Sequence, residues 1–210
     1  RGLGDVYKRQ GKPSFGEAFT GSVDENSNIQ NYMWGVLDFP LYFQMNNVFC
    51  KGEEWGGIKW AFDQDYKYKD TNRLFTFLDN HDRARFLANA SDNWAKQRLA
   101  LTFQYAARGI PVVYYGTEQN MAGDFKYTED TINYWNREMM SSFSEDTTTF
   151  QYIQRLNQIR QEYSDVLTKG VQRELYYSYG DAVYAFSRRN DGNGNEIICL
   201  FNNCLLYTSP

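Results

Sequence analysis

The stretch RLFTFLDNHDRARF, residues 73–86, changes character halfway. Its first half, Arg73 to Asp79, is a run of aromatic and branched apolar residues that reads as a β-strand. At Asp79 the apolar run stops and charge begins, around His81, the only histidine in the chain. A second run, VVYYG at 112–116, follows Pro111 and is continuously apolar, as in strands buried on both faces of a parallel sheet. Between the two runs, Trp94, Leu99, Phe103 and Ala106 recur at helical spacing. Ser91 or Asp92 is placed to cap that helix, and Gly109 to stop it.

The same alternation extends towards the N-terminus. Gly11 to Phe19 reads as a short buried strand ending at a glycine and a carboxylate. Val36 to Phe39 reads as another strand, Pro40 suits the first turn of a helix through Val48, and Ile58 to Asp65 is helical. Towards the C-terminus, 117–144 has little periodicity and is expected to be a long loop. Helical spacing returns through Phe150, Ile153, Leu156, Ile159 and Tyr163. After Gly170 the pattern alternates with period two in ELYYSY, AVYAFSRR and EIICLFNN, and the NDGNGN turn separates the last two.

Strand–helix repeats followed by antiparallel strands give an α/β unit with a β appendage. Four βα repeats span roughly half of a typical (β/α)₈ barrel. The expected division is a partial barrel over 11–169 and a partial β domain over 170–203. Residues 1–10 and 204–210, which do not continue the adjoining patterns, are read as non-native tails, and the chain as a fragment.

Composition narrows the function. A net charge of -4 and a pI near 5.1 argue against nucleic acid or an anionic membrane as partner. There is no run of about 18 apolar residues to span a bilayer. Cys50, Cys199 and Cys204 lack metal-ligand spacing, and one histidine among them makes a transition-metal site at His81, Asp79 and Asp82 a poor reading. Aromatic residues make up 18% of the chain, which suits either a tyrosine-rich core or stacking on sugars.

Two carboxylates, Glu17 and Asp82, stand where strands are expected to end, and in a parallel barrel those ends face one pocket. Paired carboxylates with split pKa values are the equipment of glycoside hydrolysis. His81 can donate a hydrogen bond to a sugar hydroxyl, and Asn80 can orient a neighbour.

FLDNHDRARF, the following GIPVVYYGTEQNMAG and the earlier GEAFTGSVDENSNIQNYMWGVLDFPLYF together resemble the strand-7, strand-8 and strand-5 regions of the α-amylase family, glycoside hydrolase family 13. The likeness is greatest to its secreted fungal-type members and covers most of 13–163. It implies strands 5–8 of a (β/α)₈ barrel followed by the start of an antiparallel β-sandwich. It also implies Glu17 as general acid/base, Asp82 as the carboxylate that stabilises the transition state, and His81, Asn80, Gly21 and Arg137 as substrate-binding positions. Glu118 and Gln119 are expected to hold the strand-8 loop together. Where relatives carry an Asp four residues before the arginine, this chain has Asn133.

No Arg-x-Asp nucleophile motif precedes Glu17, where the only acid is Asp5. The resemblance further implies calcium with ligands outside these residues, an α-glucan substrate, a monomer at full length, and an extracellular location. The leading expectation is retaining, endo-acting α-1,4-glucan hydrolysis. The alternatives are an α-glucosidase or transglycosylase of the family, or a relative that only binds glucan.

Overall fold

A computed structural model describes residues 13–123 and 136–204. Four strands form a parallel sheet in sequence order: β1 (Phe15–Gly16), β2 (Gly35–Leu37), β3 (Leu74–Phe77) and β4 (Ile110–Val112). The register runs Gly16 to Val36, Leu37 to Phe75 and Phe77 to Val112, so all four C-terminal ends lie on one side.

Helix α1 (Val23–Gln30) follows β1, and α2 (Phe39–Met45) follows β2 and continues into a wider helical turn, Asn46–Cys50. Helix α3 (Gly56–Asp63) completes that crossover, while α4 (Phe86–Asn89) and α5 (Trp94–Ala106) link β3 to β4. Helices α6 (Thr148–Glu162) and α7 (Ser164–Leu167) lead to an antiparallel sheet of β5 (Val171–Tyr177), β6 (Val183–Arg189) and β7 (Glu196–Asn202).

Local chemistry accounts for the starts of the helices. Asp38 ends β2 and caps α2, its Oδ1 accepting from the Leu41 amide at 3.1 Å, with Pro40 in the first turn as its spacing predicts. The cap of α5 is Asn93, not Ser91 or Asp92. Asn93 Oδ1 accepts from the Ala95 and Lys96 amides at 3.0 and 3.1 Å. Ser91 and Asp92 sit at φ of +55° and +56°, a left-handed bend that places neither in the extended conformation a cap needs.

Helix α1 has no apolar stripe and was not expected from the sequence. Its buried face is polar: the Asn26 amide donates to the Tyr68 hydroxyl at 3.3 Å, and Gln30 exchanges two hydrogen bonds with the Asp70 backbone at 2.8 and 3.0 Å. The signal that was present is the Ser22-x-x-Glu25 box, in which Ser22 Oγ accepts from the Glu25 amide at 3.3 Å.

Strand β4 corrects another expectation. Among the described residues it pairs only with β3, and Val112 is 38% exposed, so the apolar run is not buried on both faces.

One core joins the layers. Trp55 stacks on Tyr184 with ring centroids 5.4 Å apart and donates from Nε1 to the Ala182 carbonyl at 2.8 Å. Phe103 of α5 meets Phe186 of β6 and Phe201 of β7 at 5.8 and 5.2 Å. These contacts bury the inner face of the antiparallel sheet against α3 and α5.

Gly109, between α5 and β4, has a φ of +99°, and a Cβ there would lie 2.5 Å from the Leu74 carbonyl oxygen. Gly109→Ala combines about 1–3 kcal/mol of backbone strain with that clash. Urea unfolding is expected to show a clear loss of stability, and a variant as stable as the parent would overturn this account.

Candidate functional site

The site is built on the loop leaving β3. Asp79 is buried and accepts from the Phe86 amide at 2.8 Å, which folds the loop back on itself. The Asn80 side chain then closes a tight turn by accepting from the Asp82 amide at 2.9 Å. This geometry presents His81 and Asp82 to solvent, with side chains 52% and 43% exposed.

Residues 136–138 clamp that loop. The Asn136 side-chain amide donates to the Asn80 and Arg83 carbonyls at 3.2 and 2.6 Å. Arg137 forks: Nε donates to the His81 carbonyl at 2.8 Å, and Nη2 to Asp82 Oδ1 at 2.7 Å. His81 Nε2 lies 3.4 Å from the other Asp82 oxygen. Glu138 Oε1 lies 3.3 Å from Nε of the buried Arg85, whose guanidinium also donates to the Tyr115 carbonyl and rests against the Tyr114 and Tyr115 rings at 4.5 and 4.7 Å. Asp82 is therefore a fixed, half-exposed carboxylate, paired with a cation on one oxygen and beside an imidazole on the other.

Glu17 directly follows β1 and is exposed. Its loop and the Asp82 loop share a wall, because the Arg83 guanidinium lies over the Phe19 ring at 5.3 Å and donates to the Tyr42 hydroxyl at 2.9 Å. Gly21 lies on the same loop, where an added Cβ would make only ordinary contact with Phe43 at 3.6 Å. The structure thus gathers Asn80, His81, Asp82 and Arg137 into one cluster and sets Glu17 and Gly21 on the adjoining loop.

The expected fastening of the strand-8 loop is made by Gln119, which exchanges hydrogen bonds of 2.8 and 3.2 Å with Ser144, and by the Glu118 carbonyl, which accepts from Thr147. Asn133 lies outside the described residues, as do residues 1–12 and 205–210.

Sequence reasoning missed Arg83, Arg85, Asn136 and Glu138. The available signal was their type: two arginines flanking an alanine, and an amide and a carboxylate flanking the recognised Arg137.

Burial pushes the Asp79 carboxyl up to about 6, against the pull of the Phe86 amide and the Arg85 charge, with Glu138 adding to the rise. The folded state holds this proton more tightly than the unfolded chain, where an aspartate titrates near 3.8. Its contribution is therefore complete below about pH 4 and is lost as pH rises through about 6. Asp79→Asn keeps an acceptor for the Phe86 amide and removes the titration. The melting temperature of the variant is expected to gain on that of the parent as pH rises from 4 to 8, and a constant gap would sink the assignment.

Residues 16–147 match the model of the alpha-amylase catalytic domain. The chain is 35% identical over 197 residues to the beta/alpha-amylase of Paenibacillus polymyxa, which covers 90% of this chain and 15% of that protein. It is 29% identical over 203 residues to the cyclomaltodextrin glucanotransferase of Geobacillus stearothermophilus, covering 90% of this chain and 27% of that one. Among solved structures, the gamma-CGTase of alkalophilic Bacillus clarkii superposes with a TM-score of 0.78 at 27% identity, over 94% of this chain and 28% of that one. The chain spans well under half the length of each.

With its parallel strands, flanking helices and polar cluster on the loops at the strand ends, the molecule is of the α/β class. The chain belongs to the alpha-amylase catalytic-domain family, and its parallel sheet is the C-terminal half of that family's (β/α)₈ barrel, followed by antiparallel strands.

Proposed function

We propose that the enzyme carrying this chain cleaves internal α-1,4-glucosidic bonds of starch- or glycogen-type glucans with retention of configuration. The observation that carries this reading is the clamped Asp82–Arg137–His81 cluster at the strand ends, sharing a wall with the Glu17 loop. Glu17, exposed at the end of β1, gives its proton to the glycosidic oxygen as the C–O bond breaks. Positive charge then grows on the anomeric carbon and ring oxygen, and Asp82 is the negative charge held in place to oppose it. His81, Asn80, Gly21 and Arg137 are assigned to sugar hydroxyls around it. The nucleophile of the retaining mechanism is assigned to a carboxylate outside these 210 residues. In the second half of the reaction Glu17 takes a proton from the incoming water.

The boundary near Gly170 is proposed to separate the catalytic part from the β appendage, and the full-length enzyme is proposed to be an extracellular monomer. Calcium is proposed as its structural ion. Its ligands are proposed to lie outside these residues, and no step runs through it. No helix among the described residues is long and apolar enough to cross a membrane.

A second reading, transglycosylation, is favoured by the glucanotransferases among the relatives. There a sugar hydroxyl replaces water in the second step. Glu17→Gln in the full-length enzyme tests both, because either chemistry needs the acid. Turnover is expected to fall while maltooligosaccharide binding survives. Unchanged turnover would refute the role of Glu17, and cyclic or lengthened products from the parent would select transfer over hydrolysis.

A further inference from the structure

A pocket of about 260 Å³ opens beside Arg83. Arg83, Lys51, Asn47 and Asn89 line it, with Tyr42 and Phe43 as its aromatic side, and no carboxylate is among its lining residues. The wide turn Asn46–Cys50 shapes it: closed by a bond from the Lys51 amide to the Asn46 carbonyl at 3.4 Å, it brings Asn47 and Lys51 to the same rim. Irregular turns of this kind interrupt regular helices at functional positions.

The cations of this pocket differ from most arginines among the described residues. Arg73, Arg85, Arg108, Arg137, Arg173 and Arg189 each face a carboxylate. Arg98, Arg155, Arg160 and Arg188 face none; of these, Arg160 and Arg188 donate to backbone carbonyls, Arg188 also to Asn72 Oδ1, and Arg155 donates to Gln158. Arg83 and Lys51 make no ion pair among the described residues. Arg83 is held in place by its Nε bond to Tyr42 and by the rings of Phe19, Tyr42 and Phe43 at 5.3, 5.5 and 5.8 Å. That leaves its two Nη groups as fixed donors. Lys51 Nζ spends one hydrogen on Asn47 Oδ1 at 2.8 Å and keeps the others. Two cations with unspent donors, preorganised and without an acid between them, match an anion with several oxygens.

We propose that this pocket binds a phosphate-type oxyanion, either free or as a phosphate ester on a glucan unit. The volume exceeds that of the anion, and Tyr42 and Phe43 offer an apolar wall for an attached sugar ring. The inference does not depend on the roles given to Glu17 and Asp82.

The test is calorimetric titration of the full-length protein at low ionic strength with inorganic phosphate, glucose 6-phosphate and maltose. Parent, Lys51→Met and Arg83→Met proteins are compared, with far-ultraviolet circular dichroism to confirm folding. Phosphate binding is expected, weakened about tenfold by each substitution and weakened further by added sodium chloride. Tighter binding of glucose 6-phosphate than of phosphate identifies a sugar-borne ester, and equal binding a free anion. Absence of phosphate binding, or binding untouched by both substitutions, overturns the proposal, as does maltose binding without phosphate binding. Lys51 is exposed, so its variant carries the test even if Arg83→Met fails to fold.

Discussion

Glu17→Gln in the full-length enzyme is expected to lower kcat on starch-type glucans by about 10²–10⁴-fold, the usual worth of a positioned general acid. That corresponds to about 3–5 kcal/mol of transition-state stabilisation. The change is nearly isosteric, and Glu17 is an exposed residue at a strand end, so the loss falls on chemistry and not on folding. KM for maltooligosaccharides should change little, because Asn80, His81, Asp82 and Arg137 are held by their own hydrogen bonds and do not depend on Glu17. A second substrate sharpens the test. An aryl glucoside with an acidic phenol leaves without protonation, so the first step should be far less damaged on it than on a glucan. Equal losses on both substrates would mean that Glu17 does not protonate the leaving oxygen. Asp82→Asn should instead depress both, because charge development at the anomeric carbon is common to them.

The sequence made visible what is encoded locally. Strand β3 could be read because Leu74 to Phe77 is apolar and the chain turns polar directly after it; Pro40 announced the start of α2, and the period-two pattern announced β5 to β7. Local type also misled. Ser91 and Asp92 are as good caps by composition as Asn93, and only the left-handed bend decides between them. Helix α1 escaped a search for apolar spacing because Asn26 and Gln30 bury their amides on Tyr68 and Asp70, some 40 positions away.

The candidate site divides in the same way. His81 and Asp82 stood out in one short motif, whereas the hold of Asn136 and Arg137 on their loop joins residues more than 50 positions apart. No periodicity carries such a contact. Family resemblance implies Arg137 as a sugar ligand; what the structure shows is its bond to Asp82, which orients that carboxylate.

The most destabilising single change expected is Arg108→Met. Arg108 and Asp38 are each 1% exposed at their side chains and paired through Nη1, while Nε and Nη2 of Arg108 reach Asp65 at 2.8–3.0 Å. Burial opposes the Arg108 charge, but the two carboxylates more than compensate and raise its pKa. Asp38 caps α2 and Asp65 follows α3, so one guanidinium ties both helices to the start of β4. Methionine fills much of the volume but leaves the buried Asp38 carboxylate and the partly buried Asp65 carboxylate without their cation. The cost of breaking such a pair from one side is about 3–5 kcal/mol, a large share of the stability of an ordinary domain. Arg108→Lys should rescue little, because an ammonium cannot supply the fork that spans both acids. Burial already raises the Asp65 carboxyl above its usual value against the pull of Arg108, so without that partner Asp65 would hold its proton more tightly still in the folded state. The deficit of the Met variant should therefore shrink as pH falls below the folded value of Asp65 and be greatest at neutral pH. Adding Asp38→Asn and Asp65→Asn should recover part of it, since the buried charges are then gone altogether. Urea midpoints across pH for the parent, single and triple variants measure this directly. A small, pH-independent loss would mean that the three side chains are held by packing and not by their charges.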